Sequence, residues 1–309
     1  MPKNITIKKI PFLLLILIVS FFCILPAFSS GEKRPAVIYG KNNFVLKNPS
    51  GVAINKTTKN IYVTDTINSR VLVFNPSGQY LFYFGEKGKG EGQFSLPYDI
   101  AIGPDGTVYV NDLASYFIHA FDSDGKFKFR FGKPGKKNDQ FILPFGLDVD
   151  TNGYIYVVDV ENNTVQIFTR QGDFLKKFGQ GGAKNGEFFQ PSDIAVDKDG
   201  NIYVVEMRNC RVQVFDKDGN YKFKFAQPGS GPGDLSSPKG IAISPDGTIY
   251  VSDSGNSRIS VFFKNGLFIE FRGEKDDLKG LEKINIDDEN FLYVSDSQNS
   301  RIRIFKVGN

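Results

Sequence analysis

The chain has 309 residues, 40% of them hydrophobic, with two Cys and no Trp; this is enough apolar material for a large core and excludes a disordered or collagen-like chain. Three of its four net positive charges are Lys3, Lys8 and Lys9, and without them 35 basic residues (38 minus 3) face 34 acidic ones, a balance that argues against a nucleic-acid partner. Phe and Tyr, at 30 and 13, favour pleated, half-buried surfaces and therefore strands.

Residues 1–29 read as an export leader: a basic "MPKNITIKK", an apolar "PFLLLILIVSFFCIL", and small residues at Ala27 and Ser29 that suit cleavage. The apolar run approaches the about 20 residues that cross a bilayer, so an uncleaved anchor tethering the chain to a membrane is the second reading. Cys23 follows Phe21 and Phe22, where a lipidation signal wants small residues. The expected location is secreted, periplasmic or at the cell surface. Cys210 is the only thiol beyond the leader, so no internal disulfide forms there.

Residues 30–309 read as one domain built from a repeat. "IYVTD" ends at Asp65, "VYVND" at Asp112, "IYVVD" at Asp159, "IYVVE" at Glu206, "IYVSD" at Asp253 and "LYVSD" at Asp296, spaced by 47, 47, 47, 47 and 43 residues. A constant period in this range marks a solenoid or propeller. The fifth period divides into "GIAIS", "TIYVSD", "RISVFF" and "LFIEFRG", separated by the turn signals "PDG" and "KNG". Four antiparallel strands per period predict propeller blades, six in number. The sixth period stops after its third strand, at "RIRIFKVGN", while "AVIYG" near residue 36 matches the fourth-strand endings "LFYFG" and "FKFRFG". Ala36 to Tyr39 is therefore expected to close the last blade against Arg301 to Phe305, removing an open sheet edge. The fold class is all-β, a six-bladed propeller.

The repeated pattern "P.GIA...DG.IYV.D..N.R..VF...G.F...FG", followed by "G...G.F..P", resembles the NHL repeat over nearly all of residues 35–309. The resemblance implies the propeller fold but no single function, since the family includes RNA-binding modules, extracytoplasmic sensor domains and a metal-dependent lyase. Function has to be argued from sites.

The recurring pairs Asp65 with Arg70, Glu206 with Arg211, Asp253 with Arg258 and Asp296 with Arg301 are expected to hold corner loops, because a pattern present in most blades defines no single asymmetric centre. Departures from it carry more information. Blade two reads "NDLASYFIHAF", blade three "VDVENNTVQIF", and blade four has Met207 and Arg208 after Glu206. Tyr116, Phe117, Glu161, Met207 and Arg208 are thereby candidates for a partner-binding patch on one rim, against the plainer reading of drift in surface loops. On the innermost strands, the position of Ala53, Ala101, Ala195 and Ala242 becomes Asp148 and Asn285, and a glycine two positions earlier becomes Asp99 and Asp193. These four could hold a divalent cation such as calcium near the axis, or ordered water. "DSDG" and "DKDG" lack the later ligands of a calcium loop and read as hairpin turns.

Catalysis is limited by inventory. The sole His119 rules out a multi-histidine zinc centre, which disfavours the lyase branch of the family. No "G.S.G" elbow is present. The reading is an exported recognition or scaffolding propeller, a monomer without a resident cofactor, that binds a protein or glycan outside the cytoplasm. Its alternative is a hydrolase or lactonase using a carboxylate-held metal at the axis.

Overall fold

Each period folds into the four antiparallel strands that its turn chemistry predicts. The computed structural model describes residues 34–40, 45–273 and 278–308, so the leader reading of residues 1–29 lies outside the described residues. Blade one comprises β2 (Pro49–Ile54), β3 (Ile61–Asp65), β4 (Arg70–Phe74) and β5 (Tyr80–Phe84), and blade two β6 (Pro97–Ile102), β7 (Val108–Asp112), β8 (Phe117–Phe121) and β9 (Phe127–Phe131). Blade three is β10 (Pro144–Val149), β11 (Ile155–Asp159), β12 (Thr164–Phe168) and β13 (Phe174–Phe178); blade four is β14 (Pro191–Val196), β15 (Ile202–Glu206), β16 (Arg211–Phe215) and β17 (Tyr221–Phe225). Blade five holds β18 (Gly240–Ile243), β19 (Ile249–Asp253), β20 (Arg258–Phe262) and β21 (Phe268–Arg272).

Blade six takes three strands from the end of the chain, β22 (Leu281–Ile286), β23 (Phe291–Asp296) and β24 (Arg301–Lys306), and its outer strand β1 (Val37–Ile38) from the beginning. Val37 lies opposite Arg303 and Ile38 opposite Ile302, the closure expected from the truncated last period. Arg34 fastens it. Its guanidinium lies 3.1 Å from Asp287 and 3.2 Å from Glu289, donates to the Tyr293 hydroxyl, and sits 4.8 Å from the centre of the Phe291 ring. A planar cation with five donors suits such a many-sided contact.

The core lies between neighbouring blades. One layer joins Tyr62, Val71 and Phe84 of blade one to Ile100, Val110 and Phe121 of blade two, and it is sealed by Phe94 of the crossover between them. Phe141, Phe188 and Leu235 repeat that role and are fully buried. Burying a side chain of this size contributes about 1.5–3 kcal/mol, so each of these crossovers is pinned by its one fully buried side chain.

The strand directions create two distinct faces. Crossovers and second-to-third-strand corners share one rim: the Asp65 carboxylate at a corner accepts the Lys47 amide of a crossover at 2.7 Å. First-to-second turns and third-to-fourth hairpins share the other face, where the Tyr62 hydroxyl of blade one reaches the Ser123 carbonyl of blade two's hairpin at 2.8 Å. Every corner ends in a left-handed residue, Ser69, Tyr116, Asn163, Cys210, Ser257 or Ser300, with φ between 48 and 68°. Asn and small residues tolerate that conformation best, which makes Tyr116, at φ 68°, the costly exception.

Candidate functional site

Four corners carry the expected ion pair. Arg70, Arg211, Arg258 and Arg301 approach Asp65, Glu206, Asp253 and Asp296 at 2.8, 2.5, 2.9 and 2.5 Å, with the acids fully buried. Blades two and three dispense with the arginine. Asp112 instead accepts four main-chain amides, from Ser95, Leu96, Ala114 and Ser115, and Asp159 accepts those of Ile142 and Leu143. Main-chain amides satisfy a buried carboxylate without a counter-ion, so the arginine position is released for other use.

That release puts Phe117 on the rim, its ring 4.3 Å from the Arg130 guanidinium, with Tyr116 beside it. Glu161 of blade three and Arg208 of blade four are exposed, and Met207 is half-buried. All five residues lie on the corner rim. Blades three and four are stitched together there, since Arg208 Nε donates to Gln190 Oε1 at 3.0 Å and the Gln190 amide donates to Asn163 Oδ1 at 3.0 Å. The rim also holds residues that the broken corner pattern does not point to. Phe189 is 51% exposed, and its carbonyl accepts the Arg208 amide. Its counterparts at crossover positions 95 and 236 are serines, a contrast visible in the repeat alignment.

The axis is organised differently from a row of four ligands. The residue two positions before the Ala53 position reads Gly51, Asp99, Gly146, Asp193, Gly240 and Lys283 in the six blades, so charge and glycine alternate around the ring. A Cβ on Gly51, Gly146 or Gly240 would come within 2.7 Å of the next blade's backbone, beside its charged residue. Close approach of backbone explains why glycine occupies these places. Lys283 of blade six crosses the axis to Asp193 at 2.6 Å and Asp99 at 3.3 Å, and donates to the Ser192 carbonyl. Asp99 and Asp193 therefore come together around an ammonium group.

Burial alone would depress the Lys283 ammonium, but Asp193 and Asp99 outweigh it and raise it. Burial raises both Asp99 and Asp193, the latter to about 7. One cation cannot satisfy two buried carboxylates, so one of them is held towards its neutral form. Tyr98 and Phe145 cover this cluster from the corner rim, their ring centres 4.2 Å apart and the Tyr98 hydroxyl bonded to Glu282.

Below the cluster a cavity of about 180 Å³ follows the axis, lined by the inner strands of all six blades and by Lys56, Thr151 and Asp288 of the opposite face. Asp148 and Asn285 both line it. Asp148 accepts the Val196 amide at 2.7 Å and its own neighbour Val149 at 2.8 Å, and burial still raises its carboxyl to about 7. All four axial residues therefore line this cavity, and two of them, Asp99 and Asp193, are also bonded to Lys283. Among the described residues, no group of three or more His, Cys, Asp or Glu side chains is placed to hold a metal ion. Carboxylates on three successive inner strands also stitch the ring: Asp99, Asp148 and Asp193 each accept the amide 48 residues further on, at Leu147, Val196 and Ile241.

His119 is 1% exposed, and neither ring nitrogen finds a partner. Phe94, Phe117, Phe121 and Phe127 surround it at ring distances of 5.3 to 6.4 Å. At the same position Gln166 and Gln213 bond the neighbouring crossover at both ends, through Asp139 and Gln140 in one case and Gly186 and Glu187 in the other.

Short stretches of the chain are similar to two animal proteins. One is mouse peptidyl-glycine alpha-amidating monooxygenase, 38% identical over 61 residues, and the other is Drosophila melanogaster protein brain tumor, 43% identical over 54 residues. Each stretch covers 18% of this chain but only 6% and 5% of those proteins. A gluconolactonase from Xanthomonas campestris has a similar fold, with a TM-score of 0.66 and 14% identity over 85% of this chain and 87% of that one. Residues 40–114, 147–209 and 198–305 match one further pattern, and with the six observed blades and NHL-type repeats they show that the chain belongs to the 6-bladed beta-propeller family.

Proposed function

We propose that this propeller is a recognition module that docks a protein or glycan on the corner rim of blades two to four, outside the cytoplasm. The carrying observation is the cluster at blade four, where an exposed Phe189 is held beside Met207 and Arg208 by main-chain bonds to residues 189 and 190. An exposed aromatic next to an arginine is the composition that concentrates binding energy at interfaces. Tyr116 supports the same rim, because an aromatic residue occupies a left-handed corner where other blades use Ser, Asn or Cys. Leu96 at 38% and Ile67 at 64% exposure extend the apolar surface towards blade one.

The catalytic alternative, a hydrolase or lactonase working from the axis, finds less support. Lys283 already engages Asp99 and Asp193, and His119 is enclosed by phenylalanines. Calcium at the axis would have to compete with Lys283 for Asp99 and Asp193, or rely on Asp148, Asn285 and main-chain groups. The test of the rim is the triple variant Phe189→Ser, Met207→Ser, Arg208→Glu, used as bait in crosslinking pull-downs from the native envelope. Loss of a captured partner with an unchanged melting temperature is expected. Capture of the same partner at the same yield would remove the rim from consideration.

A further inference from the structure

The arginine missing from two corners has a consequence at the neighbouring crossovers. In blades four and five the corner arginine also holds a crossover: the Arg211 guanidinium donates to the Ala183 and Lys184 carbonyls at 2.8 and 3.0 Å, and that of Arg258 to the Ser230 carbonyl at 2.9 Å. The charge of these two arginines is balanced locally, by Glu206 and Asp253. Blades two and three hold the same carbonyl from outside. One and two periods of 47 residues before Ala183 stand Lys136 and Lys89. The Lys136 carbonyl accepts Lys177 Nζ of the outer strand β13 at 3.3 Å, and the Lys89 carbonyl accepts the Arg130 guanidinium of the outer strand β9 at 3.0 Å. One carbonyl is thus bonded to a cation in each of four blades, and in two of them that cation has moved from the corner to the outer edge.

The move leaves charge without a counter-charge. Asp112 and Asp159 are satisfied by main-chain amides, and Asp139 of the second crossover is taken by Lys133 at 2.9 Å. Among the described residues, Lys89, Arg130, Lys136 and Lys177 form no salt bridge. Lys89, Lys136 and the adjacent Lys137 are exposed, where blade four has Ala183 and blade five Ser230. General basicity does not account for this, because 35 basic residues face 34 acidic ones beyond the first nine positions. Blades two and three therefore carry the same device, a crossover lysine joined to a strand cation that is bonded to that lysine's own carbonyl. They are also the blades whose corners lack the arginine, with Tyr116 and Phe117 between the two crossovers in sequence.

We infer that the cation pairs Lys89 with Arg130 and Lys136 with Lys177 are equivalent subsites, on adjacent blades, for one anionic polysaccharide lying along the corner rim. This rests on the reading of that rim as a docking surface and names its partner. Uncompensated cations on one rim of a nearly neutral chain complement an anion. The same pair built twice, one period apart, suits a ligand whose acid groups also repeat along a chain, whereas a folded partner presents its carboxylates at irregular spacing. A single exposed ion pair is weak, but two subsites engaged by one polymer reinforce each other, because binding at the first raises the effective concentration at the second. The polymer is held and its isolated sugar is not.

The probe is polygalacturonate, titrated calorimetrically into the full chain beside uncharged dextran, the galacturonate monomer, and polyglutamate of matched length as an acidic chain that is not a sugar. Polygalacturonate is expected to bind, less tightly as salt is raised, with no binding of dextran or monomer and weaker binding of polyglutamate. Lys89→Gln combined with Lys136→Gln changes two exposed side chains that make no hydrogen bond or ion pair among the described residues. It is expected to weaken binding about tenfold with an unchanged melting temperature. Lys126→Gln combined with Lys198→Gln makes the same charge change on the opposite face and is expected to bind as the natural chain does. No binding of polygalacturonate, equal binding of the monomer, a preference for polyglutamate, or equal affinity in the two double variants overturns the inference. A natural chain that ignores polygalacturonate while its crosslinked partner still depends on Phe189, Met207 and Arg208 removes the polysaccharide alone. Binding that survives in the Lys89 and Lys136 variant and fails in the Lys126 and Lys198 variant removes the rim as well.

Discussion

The Lys283 ammonium of blade six lies 2.6 Å from the Asp193 carboxylate of blade four, a bond that crosses the propeller axis and is fully buried. Lys283→Met removes the cation bonded to both Asp99 and Asp193. Breaking a buried pair from one side costs about 3–5 kcal/mol, so a clear drop in denaturation midpoint is expected at pH 8. The loss should shrink at pH 5, because burial already raises both acids and the released carboxylates can take up protons. Equal losses at the two pH values would show that the lysine acts through packing alone.

The glycines that alternate with these charges predict a second effect. An Ala at Gly146 would place its Cβ 2.7 Å from the Asp193 Cα, which is backbone and cannot rotate away. Gly146→Ala is therefore expected to destabilise by about 1–3 kcal/mol, while Ala at Gly186, where nothing lies within 4 Å, meets only its φ of 81°. Urea melts of the two variants separate clash from backbone preference.

These two cases also mark how far the sequence is legible. The 47-residue period dictates six blades, because each unit must bury both faces of its sheet against a neighbour. Corner pairs such as Asp253 with Arg258 are local, five residues apart, and could be read directly. Lys283 could not be read in that way, since nothing local shows that its side chain crosses to residues 90 positions away. The alternation Gly51, Asp99, Gly146, Asp193, Gly240, Lys283 was nevertheless present in the alignment, and it points to an axis where bulk and charge take turns. Phe189 is legible only in part. A phenylalanine in a strand-rich sequence reads as core; the serines at positions 95 and 236 set it apart in the repeat, and its exposure beside the buried Phe188 completes the distinction.

Arg34 predicts the behaviour of the closure. Arg34→Ala leaves Asp287 buried without its counter-ion and takes the Phe291 contact away, a loss of about 3 kcal/mol confined at first to blade six. Hydrogen exchange should rise at Ile302 and Ile304, whose strand pairs with β1, before it rises in blade three. Uniform acceleration across all blades would mean that the ring opens only as a whole.

His119 and Asp148 set opposite slopes on stability against pH. Burial lowers His119 from 6.5 to about 4, with Asp112 opposing the shift and Arg130 adding to it. Between pH 6.5 and about 4 the unfolded chain binds more protons there, so the histidine's contribution is complete above 6.5 and is lost as the pH falls through that window. Asp148 is raised from 3.8 to about 7, so between those values the folded chain binds more protons and its contribution is lost as the pH rises. The two windows overlap, so the slopes oppose each other and largely cancel between pH values of about 4 and 6.5. Asp148→Asn, whose amide keeps the shape and does not ionise, should leave the histidine's loss of stability below pH 6.5 exposed. His119→Gln should leave the Asp148 loss on raising the pH from about 4 to about 7, and should also add about 1–2 kcal/mol at neutral pH, since glutamine at this position in blades three and four bonds the crossover at both ends. Thermal melts of the three proteins from pH 4 to pH 8 measure both slopes. An Asp148→Asn protein that loses no stability as the pH falls from 6.5 to about 4 would assign the histidine no part in the pH dependence.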